Sequence, residues 1–422
     1  MTMEPQPQQS PPDQPPGPLS GYLVVDLSRA LAGPHAGMML GDLGARVIKI
    51  ENPQGGDETR GWGPPYVEPQ GVGGPGAEAD GAAGPERVAT YFLSCNRNKQ
   101  SVALDLKDAA DLRVLEALVA RADVLVENFR PGVLDRLGLS TSRLEELNPQ
   151  LVVLSISGFG HDGPEGGRPG YDQIAQGEGG LMSLTGSGPE DPQRVGVPIG
   201  DLLAGMYGAY GVLAALLERE RTGRGQVVRT SLLAAIVGVH AFQGTRWTVA
   251  GQLPAAQGNH HPSLAPYGLF GCADGAVQVA CGNESLWRRF CAAFGLDPAA
   301  EGMASNAERV ANRPQLIELL EGAFASSTME QVLARLAEAG VPGGRVRDLR
   351  QVYEWEQTRS QGLLVDVEHP GYGRVSLPGP PLRFFRPGGD GTGEVETTFT
   401  RHTAPPALDE DGARVRRWLA EG

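Results

Sequence analysis

Short runs that are apolar on both faces alternate with helical stretches through the first half of the chain, and this alternation limits the fold more than any other feature. YLVVDL (22–27), a helical stretch over 34–43 closed by Gly44, and RVIKI (46–50) place strand, helix and strand within thirty residues. Proline in a first helical turn and glycine just past the last are helix punctuation. SVALDL (101–106), an amphipathic helix over 108–122, VLVEN (124–128), a short helix over 132–137 and LVVLSIS (151–157) continue the series. Strands that are apolar on both sides and joined by helices require a parallel sheet covered on both faces. Ligands of such sheets sit beyond the carboxyl ends of the strands, which directs attention to the loops 28–34, 51–62, 127–131 and 158–171.

Composition narrows the classes. Gly 60 and Pro 34 in 422 residues approach the make-up of low-complexity chains, but 40% of the residues are apolar and carry clear periods, so the chain has material for a real core. A net charge of −14 with no Lys/Arg-rich run lacks the footprint of a general nucleic-acid binder, while leaving room for a local basic pocket. No stretch reaches eighteen consecutive apolar residues and the first residues are polar, which implies a soluble, untargeted cytoplasmic protein with no membrane partner. Cys95, Cys272, Cys281 and Cys291 lie far apart with no C-x-x-C pair, so neither zinc nor a disulfide framework is indicated.

Residues 1–18 combine Pro and Gln without an apolar pattern and read as a disordered tail, and 67–86 as a flexible insertion. The first part of a large domain then spans 19–235. In DLLAGMYGAYGVLAALLERE, residues Leu202, Met206, Tyr210, Leu213 and Leu217 form one helical stripe, and four small residues on the same helix suggest a tightly packed neighbouring backbone. Ser231 caps a further apolar helix to about Gln243. A linker and smaller α+β domain over 236–345 follow, with a hairpin at Asp274-Gly275 and helices over 286–294 and 315–339. The segment 346–422, with a β-hairpin turning over 370–373 and a final helix over 413–419, returns to the large domain.

Dinucleotide fingerprint, P-loop, nucleophile elbow and H-E-x-x-H are all absent, and no metal site is expected. One residue invites chemistry: Asp201 in VPIGDLLAG, at the start of the glycine-rich helix. It reads two ways. An aspartate there is a good N-cap, worth about 1 kcal/mol. Alternatively, the positive helix end lowers its pKa and keeps a free carboxylate available as a nucleophile.

The runs LAGPHAGMMLGDLGARVIKIENPQGGDETRGWGPPY, NRNKQSVALDL, DVLVENFRPGVLDRLGL, GYDQIAQGEGGLMSLTG, VGVPIGDLLAG and ERTGRGQVVRTSLL resemble, in order, the family III CoA-transferases of the CaiB/BaiF type. Within that family the subgroup of succinate-hydroxymethylglutarate CoA-transferases is similar in carrying T-R-x-W-G-P-P and N-R-N-K. The resemblance implies a Rossmann-like large domain, two chains interlinked as a homodimer, and a reaction that moves CoA between carboxylic acids, with a dicarboxylyl donor such as succinyl-CoA. It requires no permanently bound cofactor; coenzyme A enters as substrate.

By the same resemblance Asp201 attacks the thioester, and the reaction passes through a mixed anhydride and an aspartyl-CoA thioester. Ala30, Leu31, Ala32, Lys99, Asn128, Phe129 and Arg136 match CoA contacts. For Lys99 and Arg136, pairing with phosphates is chemically apt, with solvated surface charge as the alternative. Asp172 matches an assisting acid, with a helix cap as its alternative, and the backbone at Gly258 and Asn259 matches a loop that covers the aspartate. Tyr171 stands thirty residues before Asp201, where the related 2-methylacyl-CoA racemases carry a histidine. A phenol of pKa about 10 shuttles protons poorly at neutral pH, which favours transfer over an isomerase; a CoA-binding protein without catalysis is the third reading. Asn52 stands where some members carry a CoA-binding arginine, Leu31 where the formate-handling members carry a glutamine and Pro169 where one carries a lysine, which argues against oxalate and formate as substrates, and LDEDG (408–412) replaces the family's L-G-x-H-T.

Overall fold

The computed structural model describes residues 16–70, 87–389 and 393–421. In the first unit, β1 (Leu23–Asp26) leads through α1 (Ala32–Asp42) to β2 (Arg46–Glu51). A two-residue ribbon of β3 (Tyr66–Val67) and β4 (Val88–Ala89) and the short α2 (Thr90–Ser94) precede β5 (Lys99–Ala103). Then come α3 (Ala109–Val119), β6 (Val124–Glu127), α4 (Val133–Arg136), α5 (Thr141–Leu147) and β7 (Val152–Ser157). After α6 (Asp172–Glu178) and the 24-residue α7 (Ile199–Thr222), β8 (Val227–Ser231) completes the sheet.

The six strands are all parallel in the order β5-β2-β1-β6-β7-β8. The chain winds outward from β1 and then returns to its other side, the doubly wound arrangement in which the loops after the two central strands part and leave a crevice. Every residue of β1, β6 and β7 is buried, which is why these strands read as continuous apolar runs.

Helix α7 lies along α1 and β7. The four small residues on it suggest a tightly packed neighbouring backbone, and the structure turns that small face inward and the large apolar stripe outward. Ala204, Gly205, Gly208, Ala209 and Val212 are buried, while Tyr210 and Leu217 are 71% and 68% exposed. The reason is spacing: a Cβ on Gly205 would stand 2.6 Å from the Ala32 carbonyl oxygen, so only the small face fits against α1. By length and composition α7 could also cross a bilayer; in this fold its small face is buried against α1 and β7. On the opposite side of the sheet, α3, α5 and the C-terminal helix Gly412–Ala420 bury Leu115, Leu118, Leu144 and Val415. The Asp409 and Asp411 carboxylates accept the Ala103 and Ser101 N–H groups, covering the outer edge of β5.

The chain divides into two compact units, the first taking the described parts of 1–179, 196–241 and 357–422, the second 180–195 and 242–356. The second has an antiparallel sheet, β9 (Tyr267–Cys272), β10 (Gly275–Ala280) and β11 (Gly343–Arg345), over a core containing Phe270, Trp287, Phe290 and Phe324. It extends past residue 345 and includes 180–195, a stretch with no apolar period to mark where it packs.

Local breaks differ from the periodic reading as well. The apolar helix after Ser231 stops at α8 (Leu232–Gly238) and resumes as α9 (Ala241–Thr248). In the second unit, after α10 (Glu284–Phe294) and α11 (Asn306–Ala311), the single helix expected over 315–339 is two, α12 (Arg313–Phe324) and α13 (Met329–Glu338), because Thr328 forms a capping box with Gln331. Residues 16–18 belong to the fold: a Cβ on Gly17 would meet the Leu43 carbonyl oxygen at 2.4 Å. Val67 pairs with Val88. The rest of the expected tail (1–15) and of the insertion (71–86) lies outside the described residues.

Candidate active site

The crevice between β1 and β6 is built on a buried charge network. Lys49 on β2 is fully buried; its ammonium pairs with Asp57 at 2.8 Å and donates to the Ser28 carbonyl at 2.9 Å. Asp57 in turn accepts the Thr59 N–H at 3.0 Å and the Ala30 N–H at 3.4 Å. From the other side, Asn128 clasps the Arg29 peptide, accepting its N–H at 2.8 Å and donating to its carbonyl at 2.7 Å. The loop after β1 is thus tied at three successive residues. It bends at Ala30, whose φ of 64° lies in the left-handed region that costs a residue with a Cβ about 1 kcal/mol or more. Side chains of Leu31 and Ala32 turn inward and are nearly fully buried, Leu31 against Met38 and Cys95 with Tyr91 and Leu202 beside them.

Asp201 sits in the first turn of α7 and is not its cap: the N-cap is Pro198, with no side-chain cap bond. The cap comes from Asp172, whose Oδ1 accepts the Gly200 N–H at 2.7 Å and the Asp201 N–H at 3.4 Å. Its Oδ2 accepts from Gln176 at 2.7 Å. Among the described residues no hydrogen bond reaches the Asp201 carboxyl. Its pKa is not lowered by the helix end. Burial, and then the charge of Asp172, push it up to about 7; the N–H groups that would have stabilised it serve Asp172 instead.

Lys99 is not the exposed, unpaired cation that pairing with a phosphate calls for. Its ammonium is fully buried and spends all three N–H donors inside the fold, on Asp26 and Asn96 at 2.9 Å and on the Pro34 carbonyl at 2.8 Å. The lysine exposed beyond the carboxyl end of β5 is Lys107. Arg136 is exposed on α4 with no ion pair among the described residues, and Phe129 is half-buried with the Arg29 guanidinium 5.4 Å from its ring.

Tyr171 is 63% exposed at the start of α6. The tyrosine beside the buried cluster is Tyr91, unmarked by any motif. It stands edge-on to Trp62 at 5.2 Å, and burial and then the Asp201 charge hold its phenol well above the usual range, so it stays a proton donor. Its hydroxyl has no hydrogen-bond partner among the described residues. In the second unit, Gly258 takes a φ of 59° and its N–H donates to the Gly186 carbonyl at 2.9 Å; Asn259 is exposed on the same loop. Among the described residues no group of three His, Cys, Asp or Glu side chains is placed to hold a metal.

The family model described as CoA-transferase family III matches residues 19–411. The chain belongs to CoA-transferase family III. This CoA-transferase is 34% identical over 409 residues to the succinyl-CoA:glutarate CoA-transferase of Mus musculus, covering 96% of this chain and 90% of that one. It is 37% identical over 379 residues to the succinate–glutarate CoA-transferase of Agrobacterium fabrum, covering 88% and 92%. The acetyl-CoA:oxalate CoA-transferase of Acetobacter aceti is 36% identical over 414 residues, 97% of each chain, so overall similarity does not separate oxalate from longer acids. Among solved structures, a CaiB/BaiF family protein from Brucella suis superposes with a TM-score of 0.80 at 38% identity, covering 96% of this chain and all of that one.

Proposed function

We propose that this CoA-transferase moves CoA from a dicarboxylyl-CoA, such as succinyl-CoA, to a second carboxylic acid, with Asp201 as the nucleophile. The carrying observation is that Asp172 takes over the N–H groups at the start of α7, leaving the Asp201 carboxyl unbonded and half-buried beside the switch-point crevice. A carboxylate oxygen of Asp201 attacks the thioester carbon, the C–S bond breaks, and CoA leaves as thiolate from a mixed anhydride. The thiolate then attacks the aspartyl carbonyl, releasing the donor acid and forming an aspartyl-CoA thioester. The acceptor carboxylate repeats these steps in reverse and regenerates Asp201. Each intermediate keeps an activated acyl group, so no ATP is consumed. Tyr91 is suited to donate its free hydroxyl to the oxygen that gains charge in these steps.

The donor assignment follows the names of the relatives, two of which pair succinyl-CoA or succinate with glutarate. For the nucleotide of CoA, the exposed cations beyond the strand ends, Lys107 and Arg136, replace Lys99 in our reading. We further propose a homodimer seated on the exposed apolar stripe of α7 and a reducing cytoplasmic setting, in keeping with four free thiols. The test is to supply succinyl-CoA with a panel of carboxylates, then trap the enzyme with hydroxylamine and digest it. Acceptor-dependent CoA transfer and a hydroxamate at Asp201 are expected; full activity in Asp201→Ala refutes the assignment of the nucleophile.

A further inference from the structure

In the second unit, the loop from His261 to Tyr267 is tied down along its length. Its ends meet where the His261 N–H donates to the Tyr267 carbonyl at 2.8 Å. Asn306 on α11 holds the middle, accepting the Ala265 N–H at 3.1 Å and donating to the Ser263 carbonyl at 2.9 Å. One turn further along α11, the buried Arg309 donates to the Ala265 carbonyl at 2.7 Å and pairs with Glu284 at 2.9 Å. Ties of this kind fix what the loop presents, and groups fixed beforehand bind a ligand without the cost of ordering them.

The loop presents donors. The Ser263 N–H donates to His261 Nδ1 at 3.1 Å. Burial and then the Arg313 charge hold this ring below its ordinary pKa, so at pH 7 it is neutral and its one proton lies on Nε2. That Nε2–H has no partner among the described residues. Phe242 and Tyr267 pack on the ring at 5.5 and 5.1 Å and set its plane. Arg313, in the first turn of α12, spends one of its five N–H donors on the His261 carbonyl at 2.8 Å. It is half-buried and, unlike Arg309, no ion pair reaches it among the described residues; burial alone lowers its pKa, with no carboxylate raising it. The nearby acid is Glu321, which accepts the Gly271 N–H at 2.8 Å and whose charge is felt at His260.

One uncompensated cation beside a fixed neutral N–H calls for an anion of single charge. A carboxylate matches: its charge cancels that of Arg313, and its two oxygens suit the planar guanidinium fork, whereas a phosphoryl dianion would leave one charge over. We propose that Arg313, with His261 beside it, binds the free carboxylate of a dicarboxylic acid and so selects dicarboxylates over monocarboxylates. This rests on the CoA-transfer reading, in which one carboxyl of the acid enters the thioester while the other stays ionised and is costly to leave unpaired away from water.

The test compares glutarate with pentanoate, which has the same five carbons and one carboxyl fewer, as acceptors of CoA from succinyl-CoA, on wild type, Arg313→Gln and Arg313→Lys. Wild type should show a kcat/KM for glutarate at least tenfold above that for pentanoate. Arg313→Gln should lower the glutarate value tenfold or more, as loss of a charge-assisted hydrogen bond does, and leave the pentanoate value unchanged. Arg313→Lys, which keeps the charge and guards against a folding defect in the first variant, should retain part of the preference. Equal loss for the two acids, or an undiminished glutarate value in a variant that melts with wild type, overturns the proposal. Saturation-transfer NMR with glutarate separates the two readings. Glutarate bound by wild type and not by Arg313→Gln, with no CoA transfer to any acid, refutes the transferase reading and leaves the carboxylate site standing; neither binding nor transfer overturns both.

Discussion

At the residue scale the reaction depends on when Asp201 is charged. Its carboxyl ionises near pH 7 in the folded chain, so kcat/KM for the acyl-CoA should fall about tenfold per pH unit below 7. Asp172→Asn keeps an oxygen for the Gly200 N–H but removes the repelling charge, and its acid limb should move to lower pH in the same rate profile. The raised carboxyl also bears on stability. Its cost is absent below the unfolded value near 4, grows as the unfolded chain ionises first, and is complete above 7. Asp201→Asn should therefore melt above wild type at pH 8, with the gap closing toward pH 4. Tyr91→Phe should lower kcat roughly tenfold or more with little change in KM, since its hydroxyl meets charge only as the reaction proceeds; unchanged kcat in steady-state assays would exclude that role. Asp201 was legible because a glycine-aspartate pair opens a helix of small residues. Tyr91 was not, because nothing in its neighbouring sequence records that α2 leans on Leu31 and Leu202. The sign of the Asp201 shift also escaped a local view: the helix end was visible, but its N–H groups are taken by a residue 29 positions away.

At the scale of elements, α7 shows how packing decides what a periodic pattern means. Two stripes were readable on it, one of large apolar residues and one of small ones, and period alone cannot say which faces a neighbour. Backbone distance decides. Gly205→Ala gains about 1 kcal/mol of helix propensity but drives a Cβ to 2.6 Å from a carbonyl oxygen that cannot swing away. Overpacking of that kind costs typically 1–3 kcal/mol, so the variant should unfold at lower denaturant than wild type. A Cβ on Gly322 in α12, by contrast, would meet no neighbouring atom within 4 Å. Gly322→Ala should therefore raise stability by about 0.5–1 kcal/mol in the same urea titration. Caps were the weaker point of the periodic reading. Thr328 starts a second helix inside a continuous apolar period, and only its paired hydrogen bonds with Gln331 reveal the break.

At the scale of the whole molecule, the exposed face of α7 carries the prediction. Met206, Tyr207, Tyr210, Leu213 and Leu217 are left to solvent along one helix, a row long enough to favour a partner over water. Light scattering coupled to size exclusion should give twice the 44.5 kDa chain mass, and Leu217→Asp should shift the particle toward one chain; a wild type that stays at one chain mass at micromolar concentration would rule out this seat. The sequence by itself determined the parallel α/β architecture, the family and the candidate nucleophile, because strand alternation, helix period and a run of ordered motifs are all local properties of the chain. Only the tertiary structure decided that Lys99 is sealed in the core while Lys107 stays outside, that α7 turns its small face inward, and that Asp172 caps the helix on which Asp201 stands. Burial and charge at any one residue are sums over groups distant in sequence, and the fold alone brings those groups together.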